Sequence, residues 1–152
     1  MATAGVKFPK VRLHLPCELM SARRGRTFVR RAVANWDTGM DAAQLNLLRL
    51  LTTELIANCI VHACSAYHEL TVAPESGGVR VSVTDGMADR LVLVPNEQLR
   101  VLAGRGLVLV TTYADDCGIT KLPTGQAIWF RLRNSYLGPP QPMPMPKQRR
   151  RL

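Results

Sequence analysis

Residues 11–15 (Val-Arg-Leu-His-Leu) alternate apolar and polar and stop at Pro16, which predicts a short strand at a sheet edge. The period then lengthens. Phe28, Val29, Ala32, Val33 and Trp36 recur at spacings of three and four, which predicts an amphipathic helix over 21–36 with Ser21 as its cap. Arginines fill much of that helix's remaining surface. Asp37-Thr-Gly39 breaks the pattern, and a second helix is predicted over 41–63 with Asp41 as cap. Leu45, Leu48, Leu51, Leu55, Cys59 and Ile60 form one apolar stripe, but Leu47, Leu50, Ile56 and Val61 are apolar too. A helix apolar nearly all round is buried on more than one side.

Strand patterns follow over 69–73 and 79–83, with a hairpin turn over 74–78 between them. Residues 91–94 suggest a short extended piece and 98–103 a helical turn. Gly104-Arg-Gly106 then opens a helix over 107–114, and strands over 119–122 and 127–132 are joined across Pro123-Thr-Gly125. The pattern as a whole gives an α+β fold, about five strands with three helices packed across them. Three segments divide the chain: a flexible N-terminus over 1–9, one domain over 10–134, and a Pro/Arg-rich tail over 135–152 expected to be disordered or extended.

Composition narrows the function classes. With 152 residues and 47% hydrophobic content, the chain can bury a core but has little room for a second domain. No apolar run approaches the roughly 18 residues of a membrane span, and no basic segment precedes an apolar one at the N-terminus. Cys17, Cys59, Cys64 and Cys117 have neither C-x-x-C spacing nor a zinc-type cluster. Reduced thiols and a cytoplasmic location are the expectation. The formal net charge is +9, and Arg23, Arg24, Arg26, Arg30 and Arg31 crowd the first helix. Such a surface suits nucleic acid, an acidic protein or a phosphorylated ligand. Aromatics are few and none interleaves with Arg149, Arg150 and Arg151, so stacking platforms for nucleic acid are poor.

Three constellations could carry chemistry. Glu54, Asn58 and His62 stand at i, i+4 and i+8, on one stripe of an otherwise apolar helix. That stripe faces a polar cavity, or is a solvent-exposed face, or joins a hydrogen-bond network in the core. Asp85-Gly86 ends an alternating strand, where glycine admits a ligand to the backbone; it is also a common turn. Gly104-Arg-Gly-Leu107 precedes a helix, where free N–H groups favour phosphate. A plain loop and helix cap would look the same, and no Walker-type Lys-Ser/Thr follows.

The order of these constellations resembles the GHKL ATP-binding fold shared by gyrase, histidine kinases and the mismatch-repair protein MutL. More closely it resembles the stand-alone bacterial branch of anti-sigma-factor serine kinases. The quoted segments are Ala22-Arg-Arg-Gly-Arg-Thr-Phe-Val-Arg30 in the first helix, Thr53-Glu-Leu-Ile-Ala-Asn-Cys-Ile-Val-His-Ala63 as the N box, Thr84-Asp85-Gly86, Gly104-Arg-Gly-Leu107, and a hairpin ending Gly125-Gln-Ala-Ile-Trp129-Phe. The resemblance covers residues 10–134 or so. It implies a two-layer α/β sandwich of the Bergerat type with a mixed, mostly antiparallel sheet.

It also implies roles. Asn58 would ligate Mg²⁺ bridging the ATP phosphates. Glu54 would be the general base. Asp85 would accept from the adenine amino group, with Gly86 leaving room. Gly104, Arg105 and Gly106 would close over the phosphates. His62, Leu107 and Gly125 complete the implied nucleotide site, and residues 87–103 would be its lid. The implied partners are a sigma factor and an anti-sigma-factor antagonist, the latter phosphorylated on serine, with the chain acting as a homodimer. A non-catalytic, nucleotide-dependent binding module of the same fold is the alternative. Three positions depart from the branch. Met87-Ala-Asp follows Asp85-Gly86 without a second glycine. Ala127 stands where many relatives carry a Thr or Ser that helps hold adenine, and Cys117 stands where close relatives often carry Trp.

Overall fold

The computed structural model describes residues 9–36, 38–62, 66–75, 77–85, 107–123 and 125–134. The N-terminus over 1–8, Cys64, the segments expected over 91–94 and 98–103, and the tail over 135–152 lie outside the described residues.

The described elements are β1 (Val11–Pro16), α1 (Met20–Ala34), α2 (Ala42–His62), β2 (Tyr67–Glu75), β3 (Gly78–Asp85), α3 (Val108–Tyr113), β4 (Asp116–Leu122) and β5 (Gly125–Arg133). The strands form one sheet in the order β1-β2-β3-β5-β4, with every pair among them antiparallel. Both hairpins expected from the sequence are present, and β5 inserts between β3 and β4. Helices cover one face, so the fold is α+β with the expected five strands and three helices.

The strand period of two decides which face each residue occupies. Leu70 and Val72 of β2, Val79, Val81 and Val83 of β3, and Ile128, Phe130 and Leu132 of β5 point into the core. The intervening positions are Thr71, Arg80, Ser82, Trp129 and Arg131. Arg80 lies 4.2 Å over the Trp129 ring, and Arg131 pairs with Glu75. Leu48, Leu51, Leu55, Ile56 and Cys59 of α2 sit on the core side of the sheet. The helix packs against α1, α3, β3 and β5, which buries Ile56 as well as the main stripe, whereas Leu50 and Val61 stay exposed at 43% and 74%.

The helix starts follow different rules. Asp41 caps α2 as expected. Its Oδ1 accepts from Gln44 N at 2.8 Å while Gln44 Oε1 accepts from Asp41 N at 3.1 Å, a reciprocal capping box. Ser21 does not cap α1. The helix already begins at Met20, and the buried Ser21 hydroxyl donates to Pro16 O, tying helix to strand. A second tie is steric: a Cβ on Gly25 would overlap Ile56 Cδ1, so glycine sets the close approach of α1 to α2. Strand β2 runs two residues past its expected end, through Pro74 to Glu75. Because β1 reaches only as far as Val72, no neighbour on that side asks Pro74 for an N–H. Gly77, at φ 75°, turns the chain into β3.

Candidate functional site

The direction of α2 relative to the sheet decides where its polar stripe lies. Gln44 Nε2 in the first turn donates to Arg133 O at 2.7 Å, and Arg133 pairs with Gly78 at the start of β3. At the other end Cys17, which follows β1, bonds Ala66 O, and β2 then pairs its Glu69 with Thr84. Helix α2 therefore runs in the same direction as β3. The end that carries Asn58 and His62 lies with Asp85, the last residue of β3, and with Gly125 and Gln126 at the start of β5. The register pairs Asp85 directly with Gln126.

Asn58 is the unusual residue of this end. It is only 5% exposed, between Leu55 and Cys59 at 0%. Neither its Oδ1 nor its Nδ2 has a hydrogen-bond partner. Of the three readings open for the stripe, a solvent-exposed face and a satisfied core network therefore both fail at Asn58. A buried amide left unpaired costs on the order of 1–3 kcal/mol, a cost understood if a ligand completes its bonds. Glu54, one turn earlier and about 6 Å along the axis, is half-buried and makes no bond or ion pair with the described residues. Position 62 is the last of α2.

The remaining predicted residues divide. Leu107 is fully buried just ahead of α3, and its carbonyl accepts from Thr111 N at 3.0 Å. Gly125 is buried at the start of β5, paired with Leu122. Gly86, Gly104, Arg105, Gly106 and the lid over 87–103 lie outside the described residues. Thus the direction of α2 sets positions 54, 58 and 62 toward the end of the sheet where β3 ends at 85 and β5 begins at 125.

Ala127 is buried at 7% exposed and has the Trp129–Arg131 parity, opposite to that of Ile128, Phe130 and Leu132. Gln126, 7% exposed, has the parity of Ile128, Phe130 and Leu132 and faces the helices beside position 85. Sequence reasoning missed it. The signal was available, since counting back by twos from Phe130 lands on 126 and not on 127.

The donor set fits a magnesium ion held jointly with a phosphate ligand. Among the described residues no group of three or more His, Cys, Asp or Glu side chains could form an all-protein cage. Mg²⁺ commonly takes one or two protein oxygens and fills its octahedron with water and substrate phosphates. The unpaired Oδ1 of Asn58 is a neutral oxygen of the kind required. Among the described residues, no helix is long and apolar enough to cross a membrane.

Residues 19–132 match the model of the histidine kinase-like ATPase domain, from the turn before α1 to the end of β5. Comparison with curated proteins gave no match.

Proposed function

The chain belongs to the family of histidine kinase-like ATPase domains, and from that premise we propose that it is an ATP- and Mg²⁺-dependent serine/threonine-protein kinase of the anti-sigma type. It binds a sigma factor, phosphorylates an antagonist protein, and works as a homodimer in the cytoplasm. The observation that carries the reading is the buried, unpaired Asn58 amide one turn from Glu54.

The chemistry follows from those two side chains. Asn58 Oδ1 would hold the magnesium, and the ion would supply charge neutralisation for the phosphates. Glu54 accepts the proton of the attacking serine hydroxyl. The new bond joins that serine Oγ to the γ-phosphorus as the bond to the β-phosphate oxygen breaks, leaving ADP. Such a transfer asks the protein for positioning and electrostatics more than covalent chemistry. Gln126 lies across from Asp85, and both serve the base end of the nucleotide.

A protein-binding surface supports the partner half of the reading. Between α1 and β1 runs a groove of about 380 Å³, with Leu13, Met20 and Phe28 as its apolar lining and Arg23, Arg24 and Arg31 around them. Leu19 beside it is 85% exposed. An acidic, amphipathic segment matches both properties. Charge reversal at Arg23 and Arg24 weakens capture of the sigma factor; unchanged capture removes the groove from the account.

Glu54→Ala tests the enzyme half. Phosphoryl transfer to the antagonist is lost while ATP binding is kept. If the wild-type chain binds ATP yet transfers nothing to any candidate antagonist, the non-catalytic module takes the kinase's place.

A further inference from the structure

A second cavity lies at the opposite end of α2 from Asn58. It encloses about 800 Å³ where the end of α1, the α1–α2 connection, the start of α2 and the end of β5 meet. Its lining is apolar at Val33, Ala34, Trp36, Met40 and Leu45. Asn134 belongs to the lining and is also the last described residue of the chain. It is held in place from two sides, its Nδ2 donating to Thr38 O and its N donating to Gly77 O at 2.7 Å. The chain therefore leaves the described structure inside this cavity, with 152 − 134 = 18 residues still to run.

The next twelve of those residues match the lining. Residues 135–146 read Ser-Tyr-Leu-Gly-Pro-Pro-Gln-Pro-Met-Pro-Met-Pro and contain no charged side chain. Tyr136 and Leu137 come first, two and three residues past the rim. Five prolines follow, one pair (Pro139 and Pro142) at PxxP spacing. Such a segment favours the polyproline II helix and docks on aromatic-lined grooves at low ordering cost. At about 3.1 Å per residue it reaches roughly 37 Å, several times the width of the cavity. Hydrogen bonding matches as well. Prolines have carbonyls and no N–H, so the segment is rich in acceptors, and Arg30 at the cavity wall offers guanidinium donors. The seven non-proline residues of the segment keep their N–H donors, and the Asn134 Oδ1 at the cavity is a buried acceptor with no hydrogen-bond partner.

We propose that residues 136–146 of this chain fold back into the cavity between the α1–α2 connection and the end of β5, anchored by Tyr136 and Leu137 near Trp36, Met40 and Leu45. The docked segment ties the end of α1 to the last strand and leaves Lys147, Arg149, Arg150 and Arg151 projecting beyond it. Because the tether is two residues long, docking is intramolecular at an effective concentration on the order of millimolar or above. The proposal is independent of the nucleotide site.

Photo-crosslinking in the full chain tests it. Benzoylphenylalanine replaces Tyr136, keeping an aromatic ring there, and the crosslinked peptides are mapped by mass spectrometry. The expected result is crosslinks to residues 30–45 of the same chain, with a yield unchanged over a tenfold or so dilution. Ala34→Arg, an exposed position in the lining, fills the cavity without touching the core; it lowers that yield about tenfold while circular dichroism stays unchanged. Crosslinks that map elsewhere, that join two chains and vanish on dilution, or that persist undiminished in Ala34→Arg would each overturn the proposal.

Discussion

Thr52 and Asn58 are both buried polar residues of α2, at 0% and 5% exposure, and the helix treats them differently. The Thr52 hydroxyl donates to Leu48 O at 2.7 Å, so the side chain is paired within its own helix. Asn58 has two polar atoms that its own helix does not satisfy, and no neighbour satisfies either. The contrast continues along the axis. The N-terminal end, with Asp41 and Gln44 bonded to each other and Gln44 bonded to Arg133 O, is closed by the protein itself. Toward its C-terminal end lie the unpaired Asn58 amide and Glu54, which makes no bond or ion pair with the described residues. A buried polar group that is kept without a partner asks for an explanation, of which a bound ligand or ion is one; a capped end asks for none. One helix is thus closed at its first turn and carries an unsatisfied buried amide near its last.

The sharpest way to break this contrast is Asn58→Ala. It should weaken Mg²⁺-dependent ATP binding on the order of a hundredfold or more, as loss of a metal ligand does. It should leave unfolding free energy within about 1 kcal/mol, because the amide it removes is unsatisfied. Equilibrium denaturation beside calorimetry reads both. A large loss of stability with binding retained would make Asn58 a structural residue. Next in size is Gly25→Ala, where the new Cβ meets Ile56 Cδ1 and then Leu70 Cδ2 at 3.4 Å. Urea denaturation should show a loss of about 1–3 kcal/mol, partly recovered by Ile56→Val; full stability would mean that α1 and α2 part easily. Asp41→Ala removes the capping box and should cost about 1 kcal/mol with ATP affinity unchanged. Smallest is Thr52→Val, within roughly 0.5 kcal/mol, since Leu48 O keeps its backbone donor. Equal effects on ATP binding from Thr52→Val and Asn58→Ala would erase the distinction between the two positions.

Much of this was legible in the sequence, for definite reasons. The 41–63 helix was found to within a residue at each end, Ala42–His62, because Asp41 begins the capping box and the apolar pattern is dense. The alternations in β3 and β5 reported strands because their two faces meet different surroundings. Ser21 misled because a serine near a helix start serves equally well as a cap or as a tie to a preceding carbonyl, and only the placement of Pro16 chooses. Pro74 misled because its tolerance depends on how far β1 extends, which is a property of the neighbour. Gln126 shares the face of Asp85 and Ile128 while Ala127 has the opposite parity, a distinction that depends on the strand's register because a shift of one residue reverses the face. The position of β5 between β3 and β4 has no local signature. Nor has the orphaned state of Asn58, which is the strongest structural argument for the site and depends on everything packed around it.

The central claim is that Asn58 is unpaired because it serves a bound nucleotide. Isothermal calorimetry of ATP binding, with and without Mg²⁺, on the wild-type chain and on Asn58→Ala tests it most directly. The account predicts binding that requires both the ion and the amide. Wild-type binding indifferent to Mg²⁺ and to Asn58, or no binding up to millimolar ATP, would contradict it.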